Sequence, residues 1–150
     1  MIHIKRIDEM VSLSNTQGDI RKIENGINTY CSYSSLGQRG IPNNAGELLV
    51  KYGKDHDYQI RNKYWDVNKL PTGIIIEWVT QDVDETNGEN TAAMFSEMIN
   101  RIGLTPDYDL VLISDVRDTY DSENPKYMFR YNNVSKQFEP VSNEEREFYI

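Results

Sequence analysis

The stretch Gly73-Ile74-Ile75-Ile76-Glu77-Trp78-Val79-Thr80 decides the fold. Three successive β-branched isoleucines favour extended backbone, and an unbroken apolar run means burial on both faces of a sheet. Pro71 marks where this strand begins. Downstream, Met94, Phe95, Met98, Ile99 and Ile102 recur at i, i+4, i+8 and predict an amphipathic helix over 91–102. Asn87, Asn90 or Thr91 can cap its start and Glu89 suits the positive end of its dipole, while Gly103, Leu104 and Pro106 read as its stop. Asp109-Leu110-Val111-Leu112-Ile113 then predicts a second buried strand.

Outward from that centre the signals weaken. Lys126 to Tyr131 and Lys136 to Val141 flank Asn132-Asn133-Val134-Ser135, a hairpin with a four-residue turn and Tyr127, Phe129 and Tyr131 on one face. Ser142 with Glu145 spells a capping box for a short last helix. Upstream, Glu47-Leu48-Leu49-Val50-Lys51-Tyr52 reads as a strand ending at Gly53, with Tyr58-Gln59-Ile60-Arg61 as its return partner. Ile4, Ile7, Met10 and Val11 keep helical spacing, and Ile20, Ile23 and Ile27 predict a second short helix. Residues 32–44, with Gly37, Gly40 and Pro42, read as a long loop. The expectation is a single α+β domain with a mostly antiparallel sheet, one clear helix and short terminal helices. Residues 1–45 form a partly irregular segment suited to an assembly arm, and 46–150 form the core. The order of the strands stays open.

The chain has 150 residues, of which 38% are apolar, with ten Tyr and two Trp, which is material for one core. Net charge is −8, distributed unevenly. Residues 1–75 carry ten bases against eight acids, and residues 76–150 carry six against sixteen. An acidic half offers no face for displacing counterions from a duplex, so direct nucleic-acid binding is not expected. No apolar run approaches the roughly 20 residues of a membrane span. The N-terminus mixes acids with bases and carries no signal-peptide core, and one cysteine asks for no oxidising compartment. Synthesis in the cytoplasm is the expectation.

The constellations that could carry chemistry fail on spacing. In Asp82-Val83-Asp84-Glu85-Thr86-Asn87-Gly88-Glu89 the glycine of a calcium loop arrives one residue late, and Ala93 stands where the bidentate acid belongs. Asp115, Asp118, Asp121 and Glu123 make an acidic patch that suits a hard cation or a basic partner, yet acids alone are poor grounds for a metal. His56 lies between Asp55 and Asp57, His3 is near the terminus, and no G-x-S-x-G elbow exists for either base to serve. Cys31 reads as a small packed side chain. Gly37-Gln38-Arg39-Gly40 is too short for a phosphate loop. No catalytic residue, metal or cofactor is expected. Surplus aromatic area points instead to subunit contact, with Tyr58, Tyr64, Trp65, Tyr127, Phe129 and Tyr131 as interface candidates.

Asn44-Ala45-Gly46-Glu47-Leu48-Leu49-Val50-Lys51-Tyr52-Gly53, leading to Tyr58-Gln59-Ile60-Arg61, resembles the strand pairs of bacteriophage fibre and other virion appendage proteins. Tyr127-Met128-Phe129-Arg130-Tyr131-Asn132-Asn133, closing with Lys136-Gln137-Phe138-Glu139-Pro140-Val141, resembles their Tyr/Asn-rich hairpins. The resemblance implies a phage structural subunit without catalytic residues, oligomeric or bound to other virion proteins, and located in the particle. The expected function is therefore a non-enzymatic structural or assembly protein. The alternative is a small acidic phage-encoded inhibitor of a basic host nucleic-acid-binding protein, with the acidic patch standing in for phosphates.

Overall fold

A computed structural model describes residues 16–32, 46–52, 64–80, 88–121 and 123–150. Helix α1 spans Thr16–Gly26 and runs into a π-helical segment, Ile27–Cys31. Helix α2 is Glu47–Tyr52, followed by strands β1 (Tyr64–Leu70) and β2 (Gly73–Thr80). Helix α3 (Gly88–Arg101), strand β3 (Asp109–Val116) and a 3₁₀ turn (Arg117–Thr119) come next. Strands β4 (Tyr127–Asn132) and β5 (Gln137–Pro140) precede helix α4 (Asn143–Arg146). The five strands lie side by side in chain order. β2 and β3 are parallel, and the other three pairs are antiparallel.

The domain is α+β, and the mixed sheet follows from one connection. α3 leaves one end of β2 and returns the chain to the other, so β3 pairs with β2 in parallel, Ile74 beside Leu110 and Ile76 beside Leu112. The return is tight at its base. A Cβ on Gly73 would stand 1.8 Å from the Asp109 carbonyl oxygen, so only glycine fits beside that backbone. At the other end of the crossover Gly103 adopts φ +73°. Leu104 N–H reaches the Ile99 carbonyl (3.2 Å) and Gly103 N–H the Asn100 carbonyl (3.2 Å), which closes α3 with a Schellman motif.

Helices cover one face of the sheet. Ile23, Ile27, Leu48, Phe95, Met98 and Ile99 are buried there against Ile74, Ile76, Trp78, Leu110 and Leu112. Trp78 and Phe95 meet edge to face with ring centroids 5.3 Å apart. Residues 16–32 supply Ile20, Ile23, Ile27 and Cys31 to this same core. On the second face Val111, Ile113, Met128 and Val141 are buried, with Ile75, Tyr120 and Tyr149 packed against them. Arg146 ties the C-terminal segment down by donating to the Pro125 (2.6 Å) and Lys126 (3.2 Å) carbonyls. The triple isoleucine is thus enclosed on both sides.

Two local expectations are corrected. Glu47–Tyr52 is helical, not a strand. A strand would send the adjacent Leu48 and Leu49 to opposite faces, but both are buried in one core, which a helix allows at i and i+1. Tyr64–Leu70 is an edge strand that the aromatic cluster concealed. The β4–β5 turn is shifted one residue, to 133–136, and Lys136 sits at φ +61°. The helix at 4–11, the loop at 32–44 (apart from Ser32), the Tyr58–Arg61 strand, the Asp82–Asn87 stretch and both histidines lie outside the described residues.

Two glycines check this packing by opposite responses. Gly73→Ala should cost about 3 kcal/mol or more, because the backbone it meets cannot yield. Gly18→Ala, in α1 with nothing within 4 Å of the new methyl, should gain roughly 0.5–1 kcal/mol. Urea unfolding of both variants measures the contrast.

Candidate functional site

The sequence-derived interface candidates separate by depth. Phe129 is 5% exposed and Tyr131 8%, both in the core between the sheet and the helices, so neither can dock a partner. The correction has a simple cause: alternation puts Phe129 and Tyr131 on the face that α3 covers. Tyr131 meets Phe138 edge to face at 5.3 Å and donates to Asn100 Oδ1 (2.6 Å) on α3. Tyr127 and Trp65 are half-buried against the same core. Tyr64 is 51% exposed. Tyr58 lies outside the described residues.

The acidic patch divides too. Asp115 is only 1% exposed, and its carboxylate accepts from Val116 N–H (2.7 Å), Thr119 Oγ1–H (3.0 Å) and Lys126 N–H (2.8 Å). It pins the link between β3 and β4 and cannot stand in for a phosphate. Asp121 and Glu123 are exposed on the following turn, where Asp121 Oδ1 accepts from Glu123 N–H (2.9 Å). Asp118 belongs to the 3₁₀ turn.

A different grouping emerges at the β1–β2 end of the second sheet face. Asp66 lies directly across from Glu77, a like-charged cross-strand pair that opposes folding. No lysine or arginine among the described residues forms an ion pair with either. Tyrosines serve them instead. Tyr64 Oη donates to Asp66 (3.3 Å), Asn68 Nδ2 donates to the same oxygen (3.1 Å), and Tyr120 Oη donates to Glu77. Partial burial, then the nearby carboxylates, push both phenols above their ordinary range, so they stay protonated donors. Sequence reasoning picked Tyr64 but missed Asp66, Glu77 and Tyr120 as a group, because their proximity comes from the β1–β2 register.

Other groups with chemical potential are committed to the fold. Cys31 is fully buried and burial pushes its thiol up, away from the nucleophilic thiolate. Glu97 on α3 accepts from Tyr52 Oη (2.6 Å), Lys51 Nζ (2.9 Å) and the Arg101 guanidinium (2.8 and 3.1 Å). Those donors, Tyr52 first, hold its carboxyl down to about 2. Among the described residues no group of three His, Cys, Asp or Glu could hold a metal ion, and no helix is long and apolar enough to cross a membrane. Comparison with protein-family models, with curated proteins and with solved structures finds no match to this chain.

Glu97 and Ser114 give separate stability tests. Since the folded-state pKa of Glu97 is depressed, its contribution is present above its ordinary value near 4.5 and is lost as pH falls toward about 2. Glu97→Gln should cost roughly 1–3 kcal/mol at pH 7 and almost nothing near pH 2, as read from unfolding midpoints against pH. Ser114 is buried with its hydroxyl unpartnered, so Ser114→Ala should be neutral or stabilise by about 1 kcal/mol.

Proposed function

We propose that this protein acts without catalysis, through contact with other proteins, as a structural or assembly component of a phage particle. The observation that carries the reading is the surface formed by Tyr64, Asp66, Glu77 and Tyr120. Tyr64, half exposed, stands beside two carboxylates that no lysine or arginine among the described residues pairs. A tyrosine supplies large contact area at low entropic cost and keeps a polar tip for a partner. The resemblance of the β4–β5 hairpin to virion appendage hairpins supports the same reading. So does the commitment of Cys31, Asp115 and Glu97 to intramolecular roles, which removes them from chemistry.

Contact runs through faces and not through sheet edges, because both edges are guarded. On β1, Val67 N–H is taken up by the Asp66 carboxylate (2.9 Å). On β5, Phe138 N–H donates to Ser96 Oγ of α3 (2.8 Å), and Pro140 has no N–H to offer. Charged and proline-bearing edges resist strand-to-strand pairing between copies. Exposed apolar side chains add to the available faces, notably Phe148 at 80%. The acidic-inhibitor reading loses Asp115 from its phosphate-like array and is not favoured.

Light scattering coupled to size-exclusion chromatography, across protein concentration and at two salt levels, tests the proposal. The wild type should show mass above the monomer, and Tyr64→Ala should weaken self-association by roughly tenfold or more. A single monomer mass throughout, with the variant indistinguishable, would overturn it.

A further inference from the structure

We propose that residues 142–150 form a hinged strap, latched by Arg146, which lifts from the second sheet face as a unit while the rest of the domain stays folded. This inference concerns motion within one chain and is independent of the protein-contact reading. The two faces of the sheet are closed very unequally. On the first face Ile27, Leu48, Phe95, Met98 and Ile99 pack inward from several helices. On the second face, among residues 142–150, Tyr149 alone packs against the cluster of Val111, Ile113, Met128 and Val141. Helix α4 buries none of its residues, and Phe148 and Ile150, on either side of Tyr149, are exposed. A segment with so little buried apolar area separates from its host at a lower free energy than global unfolding requires.

The polar attachments centre on one side chain. Arg146 Nη1 and Nη2 donate to the Pro125 and Lys126 carbonyls, which are neutral acceptors, and no ion pair joins Arg146 to a carboxylate among the described residues. Its Nε is buried without a hydrogen-bond partner. An unmatched donor on a charged group carries a penalty in the closed position, and water removes that penalty once the strap lifts. The latch therefore holds the closed position and opposes it at once, which brings the two positions nearer in free energy. The Tyr149 phenol, hydrogen-bonded to the Arg130 guanidinium, is a second attachment.

The backbone marks where the hinge lies. Val141 N–H donates to the Met128 carbonyl (3.0 Å), and Ser142 follows in an extended conformation, φ −67° and ψ 160°. Beyond it the backbone bonds close within the segment: Arg146 N–H to the Ser142 carbonyl (3.1 Å), Phe148 N–H to the Glu145 carbonyl (3.0 Å) and Glu145 N–H to Ser142 Oγ (3.2 Å). These bonds travel with the strap, so rotation ahead of Ser142 breaks none of them. Lifting uncovers Val111, Ile113 and Met128, an apolar strip of sheet against which Tyr120 also packs.

Labelling of the native Val111→Cys protein with N-ethylmaleimide, read by peptide mass spectrometry, tests this. Cys31 is the internal reference, since it is buried with the helices of the first face and reports global unfolding. With each rate taken relative to that in the urea-unfolded chain, the thiol introduced at position 111 should react about tenfold faster than Cys31 or more. Its rate should also rise less steeply with urea, because the slope follows the surface exposed on opening. Arg146→Ala should raise the rate at position 111 about tenfold. Met98→Ala, which weakens the first face, should raise the Cys31 rate and leave position 111 unchanged. Met128→Cys gives the same reading from β4 if Val111→Cys does not fold. Equal relative rates for the two thiols, a common urea slope, equal responses to Met98→Ala, or no response at position 111 to Arg146→Ala would refute the strap.

Discussion

The parallel pairing of β2 with β3 is the constraint on which the rest depends. Parallel neighbours cannot be joined by a tight turn, so the chain must leave the sheet, cross it as α3 and return at the starting end. That crossover brings Phe95, Met98 and Ile99 over Ile74, Ile76 and Trp78. It also forces Gly73 against the Asp109 backbone, where no side chain fits. Because β2 is apolar on both faces, the opposite side must be closed as well. The C-terminal segment does this, held by Arg146 on the Pro125 and Lys126 carbonyls.

Those demands account for how the polar groups among the described residues are used. A 150-residue chain with a two-sided sheet has many connections to anchor, and its buried or half-buried polar groups are used as anchors. Asp115 secures the β3–β4 link, Glu97 joins α2 to α3, and Ser96 closes the β5 edge. Other charged groups among the described residues lie on the surface. The Asp66–Glu77 pair stands out there, since like charges face each other across a hairpin and, among the described residues, tyrosine, asparagine and a backbone N–H attend them in place of a cation. Such an arrangement is costly to an isolated fold and becomes favourable once a complementary charge arrives.

The central part of the fold was legible because its periodicities are unambiguous. Three isoleucines in succession, the 94–95–98–99 stripe and the Gly103 stop each admit one reading, and β2, α3 and β3 match them. The parallel order was not legible, since pairing depends on where a helix lands and not on local pattern. Glu47–Tyr52 misled because a six-residue apolar segment suits either a strand or a short helix, and only burial of adjacent Leu48 and Leu49 in one core decides. Phe129 and Tyr131 looked like spare aromatics because sequence does not say which strand face a helix will cover. Asp115 looked solvated for the same reason: a carboxylate that accepts three hydrogen bonds reads the same as one in water.

The β2–β3 pairing can be examined most directly by nuclear Overhauser contacts in the uniformly labelled protein. The structure predicts interstrand contacts in the parallel register, with Ile74 beside Leu110, Ile76 beside Leu112 and Trp78 beside Ser114, and without close Hα–Hα contacts between these strands. Close Hα–Hα contacts across β2 and β3, the mark of antiparallel neighbours, would contradict the crossover and with it the whole account.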